Sequence, residues 1–254
     1  MFFFKSIQNN KRSRNEKYYL LEQQKLFKNY LENLNFEKNY GFEIDKSFIL
    51  DLAFHTQVVY KKSKINIDHG RLLYTLLSNY INSKNFKDIN IVEIGTARGF
   101  SSICMCKSLY DYGQNARIFT YDILPHNKKM FWNVIDDFNG KTTRKNLLKS
   151  WDNITQDKII YIEGLSNINL KKIYMNRIHF AFVDGSHYGH DIELEFKIIS
   201  SRQYKGDLVI FDDYNKLLFP DLVKTLDFII SKYNYSKKII NSSDNRKFVI
   251  VEKI

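Results

Sequence analysis

Proline is nearly missing from this chain. Only Pro125 and Pro220 occur in 254 residues, so nothing punctuates the first half strongly. Cysteine is equally scarce. Cys104 and Cys106 lie too close together to staple separate parts of a fold, which excludes a disulfide framework. They form no Cys-x-x-Cys pair and have no companion cluster, so zinc and thiolate chemistry find no support. No apolar run approaches the roughly 20 residues of a membrane-spanning helix. The opening Met1-Phe2-Phe3-Phe4 is too short for a signal h-region. The chain also lacks a P-loop, a G-x-S-x-G elbow, a G-x-G-x-x-G fingerprint, an internal repeat and a low-complexity segment. These absences lead us to expect a soluble, cytoplasmic protein without a membrane span.

Aromatic residues are plentiful. With 17 Tyr, 20 Phe and 44% hydrophobic residues, the chain can build a sizeable core, which excludes disordered and collagenous classes. The 39 basic and 28 acidic residues leave a net charge of +11. Residues 1–28 hold seven Lys/Arg and two Glu, so the excess concentrates there. Two readings stand: a solvated tail, or an arm that meets phosphates or an anionic surface.

The pattern changes near residue 89. Before it, apolar residues recur at helical spacing. From His69 to Lys84, Leu72, Leu73, Leu76, Leu77, Tyr80 and Ile81 form one stripe, and Asp45 to Tyr60 is similar. After it, strands alternate with helices. Strands are expected at Ile89–Ile94, Arg117–Tyr121, Lys158–Ile162, Ile178–Val183 and Asp207–Phe211, with helices from Ser101 to Tyr110 and from Pro220 to Tyr233. Lys238–Ile240 and Lys247–Val251 flank a turn-rich stretch and read as a hairpin. The expected fold is α/β: a doubly wound, mostly parallel sheet, with residues 1–88 as basic arm and helical extension and 89–254 as the main domain. The extension would cover a substrate mouth or make an oligomer contact.

Glu93-Ile94-Gly95-Thr96-Ala97-Arg98-Gly99 follows the first strand and opens a helix. Gly95 and Gly99 let backbone turn sharply and approach a ligand closely; a tight turn without a ligand is the plainer alternative. In open α/β sheets ligands sit outside the carboxyl ends of the strands where strand order reverses, which the first strand borders. Asp122 ends the second strand one βα unit later, where a carboxylate can take both ribose hydroxyls of a nucleoside or serve only as a turn residue.

These features, with Phe182-Val183-Asp184-Gly185-Ser186-His187 and Phe211-Asp212-Asp213-Tyr214, resemble class I S-adenosylmethionine-dependent methyltransferases. The branch most similar is the small-molecule O-methyltransferases with an Asp-Gly-x-His motif, such as the macrocin-type sugar enzymes, related to the catechol-type enzymes. The resemblance covers residues 89–254. It implies a seven-stranded Rossmann-like sheet whose hairpin supplies the antiparallel strand. It implies that Glu93, Gly95, Thr96 and Gly99 form the methionine side of the cofactor site, with Asp122 on the ribose and Gly164 and Ser166 on the adenine side. The motif departs from the family in lacking a third glycine, since Ala97 and Arg98 intervene, and in carrying Leu165 where polar residues are commoner.

Asp184 ends the fourth strand and Asp212 and Asp213 end the fifth. Neighbouring strands lie about 4.8 Å apart, so three like charges should converge and repel unless a cation neutralises them. A divalent metal, Mg2+ by preference, is therefore expected on Asp184, Asp212 and Asp213, and the resemblance implies it as well. The alternative treats Asp213 as a helix cap and Asp184 as a loop anchor. His187 should begin a helix running to Phe196; it could take a hydroxyl proton, or ligate the metal. The catechol-type enzymes carry Lys at this spacing. The expected activity is transfer of a methyl group to a hydroxyl on a small acceptor, a sugar among the candidates, with Asp184 and His187 catalytic and a homo-oligomer allowed. Its rivals are an RNA methyltransferase using the basic arm and a cofactor-binding module without turnover.

Overall fold

The structure is a computed structural model that describes residue 25 and residues 36–59, 65–242 and 246–254. The basic segment 1–28 lies, apart from Lys25, outside the described residues. In chain order the main elements are α1 (Phe36–Tyr40), α2 (Lys46–Thr56), α3 (Asp68–Ser83), β1 (Ile89–Ile94), α4 (Phe100–Asp111) and β2 (Ala116–Asp122). Next come β3 (Ile159–Glu163), α5 (Ser166–Lys172), β4 (Phe180–Val183), α6 (Gly189–Ser200), β5 (Leu208–Phe211), α7 (Pro220–Lys232), β6 (Tyr235–Asn241) and β7 (Lys247–Lys253). Short turns of helix at 135–139, 144–147, 149–151 and 152–155 fill the β2–β3 connection.

The residues group into two compact units that interleave along the sequence. Of the described residues, one unit comprises those up to Tyr80 with Ala97–Ser108 and Pro125–Gln156; the other comprises those of Ile81–Thr96, Leu109–Leu124 and Asp157–Ile254.

In the first unit, Asp45 caps α2 by accepting the Phe48 N–H at 2.8 Å. Helix α3 departs from the single apolar stripe expected. It is buried nearly all round, including Asp68, His69, Arg71, Thr75 and Ser78. Three of these polar residues are matched internally. Arg71 pairs with buried Glu37, Thr75 donates to the Phe42 carbonyl at 2.7 Å, and Ser78 meets Ser108 at 2.9 Å. A Cβ on Gly70 would lie 2.4 Å from the Phe100 ring, so glycine there lets α3 lie directly on α4.

The second unit carries a seven-stranded sheet of order β3-β2-β1-β4-β5-β7-β6. The first five strands in that order are parallel, and β7 runs antiparallel to both β5 and β6. Strand β4 is buried at all four positions, as a strand covered on both faces should be. Order reverses between β1 and β4, which puts the switch point at the carboxyl ends of those strands. The observed strands match the expected ones within a few residues. Ile178 and His179 precede β4: the His179 ring accepts the Asn90 N–H at 3.0 Å and lies edge-on to Phe86, a satisfied structural position.

Candidate active site

Gly95 is fixed by packing as well as by its turn. Its φ of +97° lies in the left-handed region, and a Cβ would come within 2.0 Å of the Asp184 carbonyl oxygen. The loop after β1 thus presses directly on the end of β4. Glu93 is fully buried and accepts a hydrogen bond from Thr120, whose hydroxyl in turn meets that of Thr96 at 2.5 Å. These side chains stiffen the turn from beneath. Gly99 also has positive φ, +86°, and in its own unit a Cβ would strike Leu148 at 2.6 Å. The Arg144 side chain donates to the Ala97 carbonyl at 2.9 Å within that unit.

Asp122 stands at the end of β2, half-buried. Its Oδ1 accepts the Leu124 N–H at 2.8 Å, an Asx turn that engages one of the two oxygens. Its backbone carbonyl accepts the Gly164 N–H at 2.8 Å, so the ends of β2 and β3 meet. Ile123 and Leu165, the residues beside these contacts, are both exposed. Ser166 turns inward and donates its hydroxyl to Glu195, a buried residue of α6. Burial pushes the Glu195 carboxyl up to about 7.

At the ends of β4 and β5 the acidic groups sort themselves differently from the expected trio. Donor atoms of Asp184, His187 and Asp213 converge within 4.8 Å of one another, whereas Asp212 is not in that cluster. Asp212 is buried. Its Oδ2 accepts the Arg246 guanidinium at 2.9 Å, and its Oδ1 accepts the Asp213 N–H at 2.6 Å. Arg246 also reaches Asp213 Oδ1 at 3.4 Å. The neutralising cation that the carboxylates require is thus present in the chain, and the sequence reading missed it. It enters from the residue before β7, a neighbour of β5 only because β7 inserts between β5 and β6.

The electrostatics follow. Burial first, then the Asp212 and Asp213 charges, hold the Asp184 carboxyl well above the usual range. Burial raises Asp212 to about 6 against the pull of Arg246. Desolvation works against the Arg246 charge, but Asp212, Asp213 and Asp184 outweigh it and raise its pKa.

His187 does not begin the helix as expected. It lies two residues before α6, whose N-terminal neighbour is Tyr188, and its side chain remains substantially exposed. Its ring stacks on Phe219 with centroids 4.2 Å apart and planes 12° apart, and its Nε2 lies 2.9 Å from Asp213 Oδ2. Asp213 is itself held in the left-handed region at φ +58°, an unusual conformation for a non-glycine residue. From Tyr214 onward an open groove of about 1160 Å3 runs past Leu217, Leu218 and Pro220, with Lys216, Lys224 and Lys247 along it.

The other histidines stay outside this cluster. His55 meets Asp136 at 2.8 Å in the first unit, which raises its pKa. Among the described residues no helix is long and apolar enough to cross a membrane.

Residues 92–214 match the family described as a methyltransferase domain. The chain is similar to the solved O-methyltransferase NovP, at 14% identity and TM-score 0.58 over 75% of this chain and 81% of that one. It is similar to the O-methyltransferase TomG from Streptomyces achromogenes, at 15% identity and TM-score 0.59 over 84% and 91%. An O-methyltransferase from Bacillus cereus gives 15% identity and TM-score 0.57 over 83% and 92%. These likenesses are in fold. No curated protein sequence matches the chain.

Proposed function

We propose that this chain is a class I methyltransferase that methylates a hydroxyl of a small acceptor using S-adenosylmethionine; its fold and the methyltransferase-domain match over residues 92–214 support the reading. The acceptors in view include sugars. The observation that carries the reading is the contact of the Gly95 turn with Asp184, beside the His187–Asp213 pair. On this reading a nucleoside-binding loop and a proton acceptor would occupy adjacent strand ends. That NovP, TomG and the Bacillus cereus protein are O-methyltransferases supports the choice of oxygen as acceptor atom.

S-adenosylmethionine, when bound, supplies an electrophilic methyl group. The chain's part is to hold and orient. The turn at Gly95 and Thr96 would face the methionine portion, and the Asp122 carboxylate, at the end of β2, would take a ribose hydroxyl. Exposed Ile123 and Leu165 offer apolar contact for the adenine faces, and Gly164 keeps the backbone close there. Ser166, turned toward Glu195, would hold that loop in shape rather than touch the base. The acceptor would lie along the Tyr214 groove, next to Asp213.

His187 would take the acceptor proton. With Nε2–H donating to Asp213 Oδ2, Nδ1 is left as the proton acceptor, and Phe219 keeps the ring from turning. Two carboxylates beside an imidazole form a donor set that suits a divalent cation. Asp184 and Asp213 would hold it, with His187 within reach; when bound, such an ion makes the acceptor hydroxyl more acidic. Asp212 is committed to Arg246 and is not counted among these ligands.

Calorimetry with S-adenosylhomocysteine tests the reading. Wild type should bind, and Asp122→Ala should bind about tenfold or more weakly, as loss of a hydrogen bond to a charged group predicts. No binding by the wild type, or equal affinity in the variant, refutes it.

A further inference from the structure

Arg246 holds two carboxylates at once. It lies 2.9 Å from Asp212 Oδ2 and 3.4 Å from Asp213 Oδ1, and its own side chain is largely shielded from solvent. Asp212 has both oxygens engaged, one by Arg246 and one by the Asp213 N–H. Asp213 is held from two sides, by Arg246 on Oδ1 and by His187 on Oδ2. Only Asp184, raised toward its neutral form by burial and by its acidic neighbours, stands without a cation of its own among the described residues.

We propose that Arg246 is a resident counter-cation that limits how tightly this site takes a divalent ion. This rests on the metal-assisted reading above. Two effects combine. Arg246 withholds Asp212 from the donor set, leaving two carboxylates and an imidazole in place of the three carboxylates that the strand ends provide. It also sets a fixed positive charge within hydrogen-bonding range of a ligand residue, where repulsion of an incoming dication is strong and poorly screened. Such a site keeps its shape without an ion. Its remaining coordination positions fall to the acceptor oxygens, so ion and acceptor should bind with mutual reinforcement rather than independently.

The rule of strand order explains why this arginine arrives here. Tyr214 N–H donates to the Lys247 carbonyl at 3.0 Å, which pins the start of β7 beside the segment after β5. The residue before Lys247 must then lie against Asp212 and Asp213. Arg246 is better suited than lysine to that place, since a planar fork can serve two carboxylates at once.

Mn2+ titration of the full chain, read by electron paramagnetic resonance, tests the proposal. Arg246→Gln should bind Mn2+ roughly tenfold more tightly than wild type or better, because a like charge leaves and Asp212 is freed. Arg246→Lys keeps the charge but loses the fork, and should tighten binding only a few-fold. In Arg246→Gln combined with Asp212→Asn most of the gain should vanish. S-adenosylhomocysteine affinity, measured in parallel, should be unchanged and reports that each variant is folded. If Arg246→Gln does not fold, the Arg246→Lys comparison carries the test. Mn2+ affinity equal to or weaker than wild type in the folded Arg246 variants overturns the proposal, as does an absence of Mn2+ binding in every variant. Neither result touches the methyl-transfer reading, which stands or falls with the S-adenosylhomocysteine titration.

Discussion

Glu195 should make the protein less stable as pH rises from acid to neutral. The residue is 1% exposed, Oε1 accepts the Ser166 hydroxyl, and Oε2 has no hydrogen-bond partner among the described residues. Burial, with a smaller push from Asp191 and a counter-pull from Ser166, raises its pKa from 4.5 to about 7. The folded state therefore binds this proton more tightly than the unfolded state. Below pH 4.5 both states are protonated and nothing is lost. Between 4.5 and about 7 only the folded state keeps the proton, and stability falls by about 1.4 kcal/mol per pH unit. Above about 7 the full cost of about 3 kcal/mol is in place. Glu195→Gln removes the titration while keeping shape. It should match wild type near pH 4.5 and exceed it at pH 8 by up to about 3 kcal/mol, a gain of several degrees in Tm. Urea or thermal melts of both proteins across pH 4.5–8.5 measure this difference. A gap between the two that does not grow with pH would refute the reasoning, because a merely local repacking is blind to protons.

Other outcomes follow from particular contacts. Gly95→Ala should lose about 3 kcal/mol or more of stability and abolish S-adenosylhomocysteine binding, since its Cβ would lie 2.0 Å from a backbone oxygen; thermal melts and calorimetry check both. Glu37→Ala should cost about 3–5 kcal/mol in denaturant melts, because it leaves the Arg71 charge buried without its partner. His187→Ala should slow methyl transfer while leaving cofactor affinity intact, and its residual rate should climb with pH as the acceptor hydroxyl ionises unaided; a flat profile refutes the base assignment.

The alternation of strands and helices after residue 89 was legible because each buried parallel strand is a short apolar run bounded by turn residues. The loop at Gly95 and the acidic strand ends were legible for the same reason: chemistry-bearing residues follow apolar strands. What periodicity could not supply was strand order. Arg246 lies 33 positions after Asp213 in the chain and reaches it only through the insertion of β7 beside β5. The sequence led us to expect a divalent ion on all three carboxylates; the pairing of Asp212 with Arg246 was hidden in tertiary structure. In helix α3 the expected stripe is buried, but the burial of its polar positions was not legible, for a related reason. Arg71, Thr75 and Ser78 have partners on α1, α4 and the segment before α2, and a helical stripe cannot show partners so far along the sequence.

The place of β7 has a consequence for synthesis and folding. It follows the other six strands of the sheet in sequence, yet it sits inside the sheet, bonded on both sides. Until residues 247–253 have emerged, β5 presents an unpaired edge and β6 has nothing to pair with. An exposed edge of Val, Ile and Phe is the kind of surface on which nascent chains associate. The same late segment carries the guanidinium that relieves repulsion among the acidic strand ends. A nascent chain halted before Arg246 would therefore combine an open sheet with an unbalanced cluster of carboxylates. Sheet closure and charge balance would arrive together.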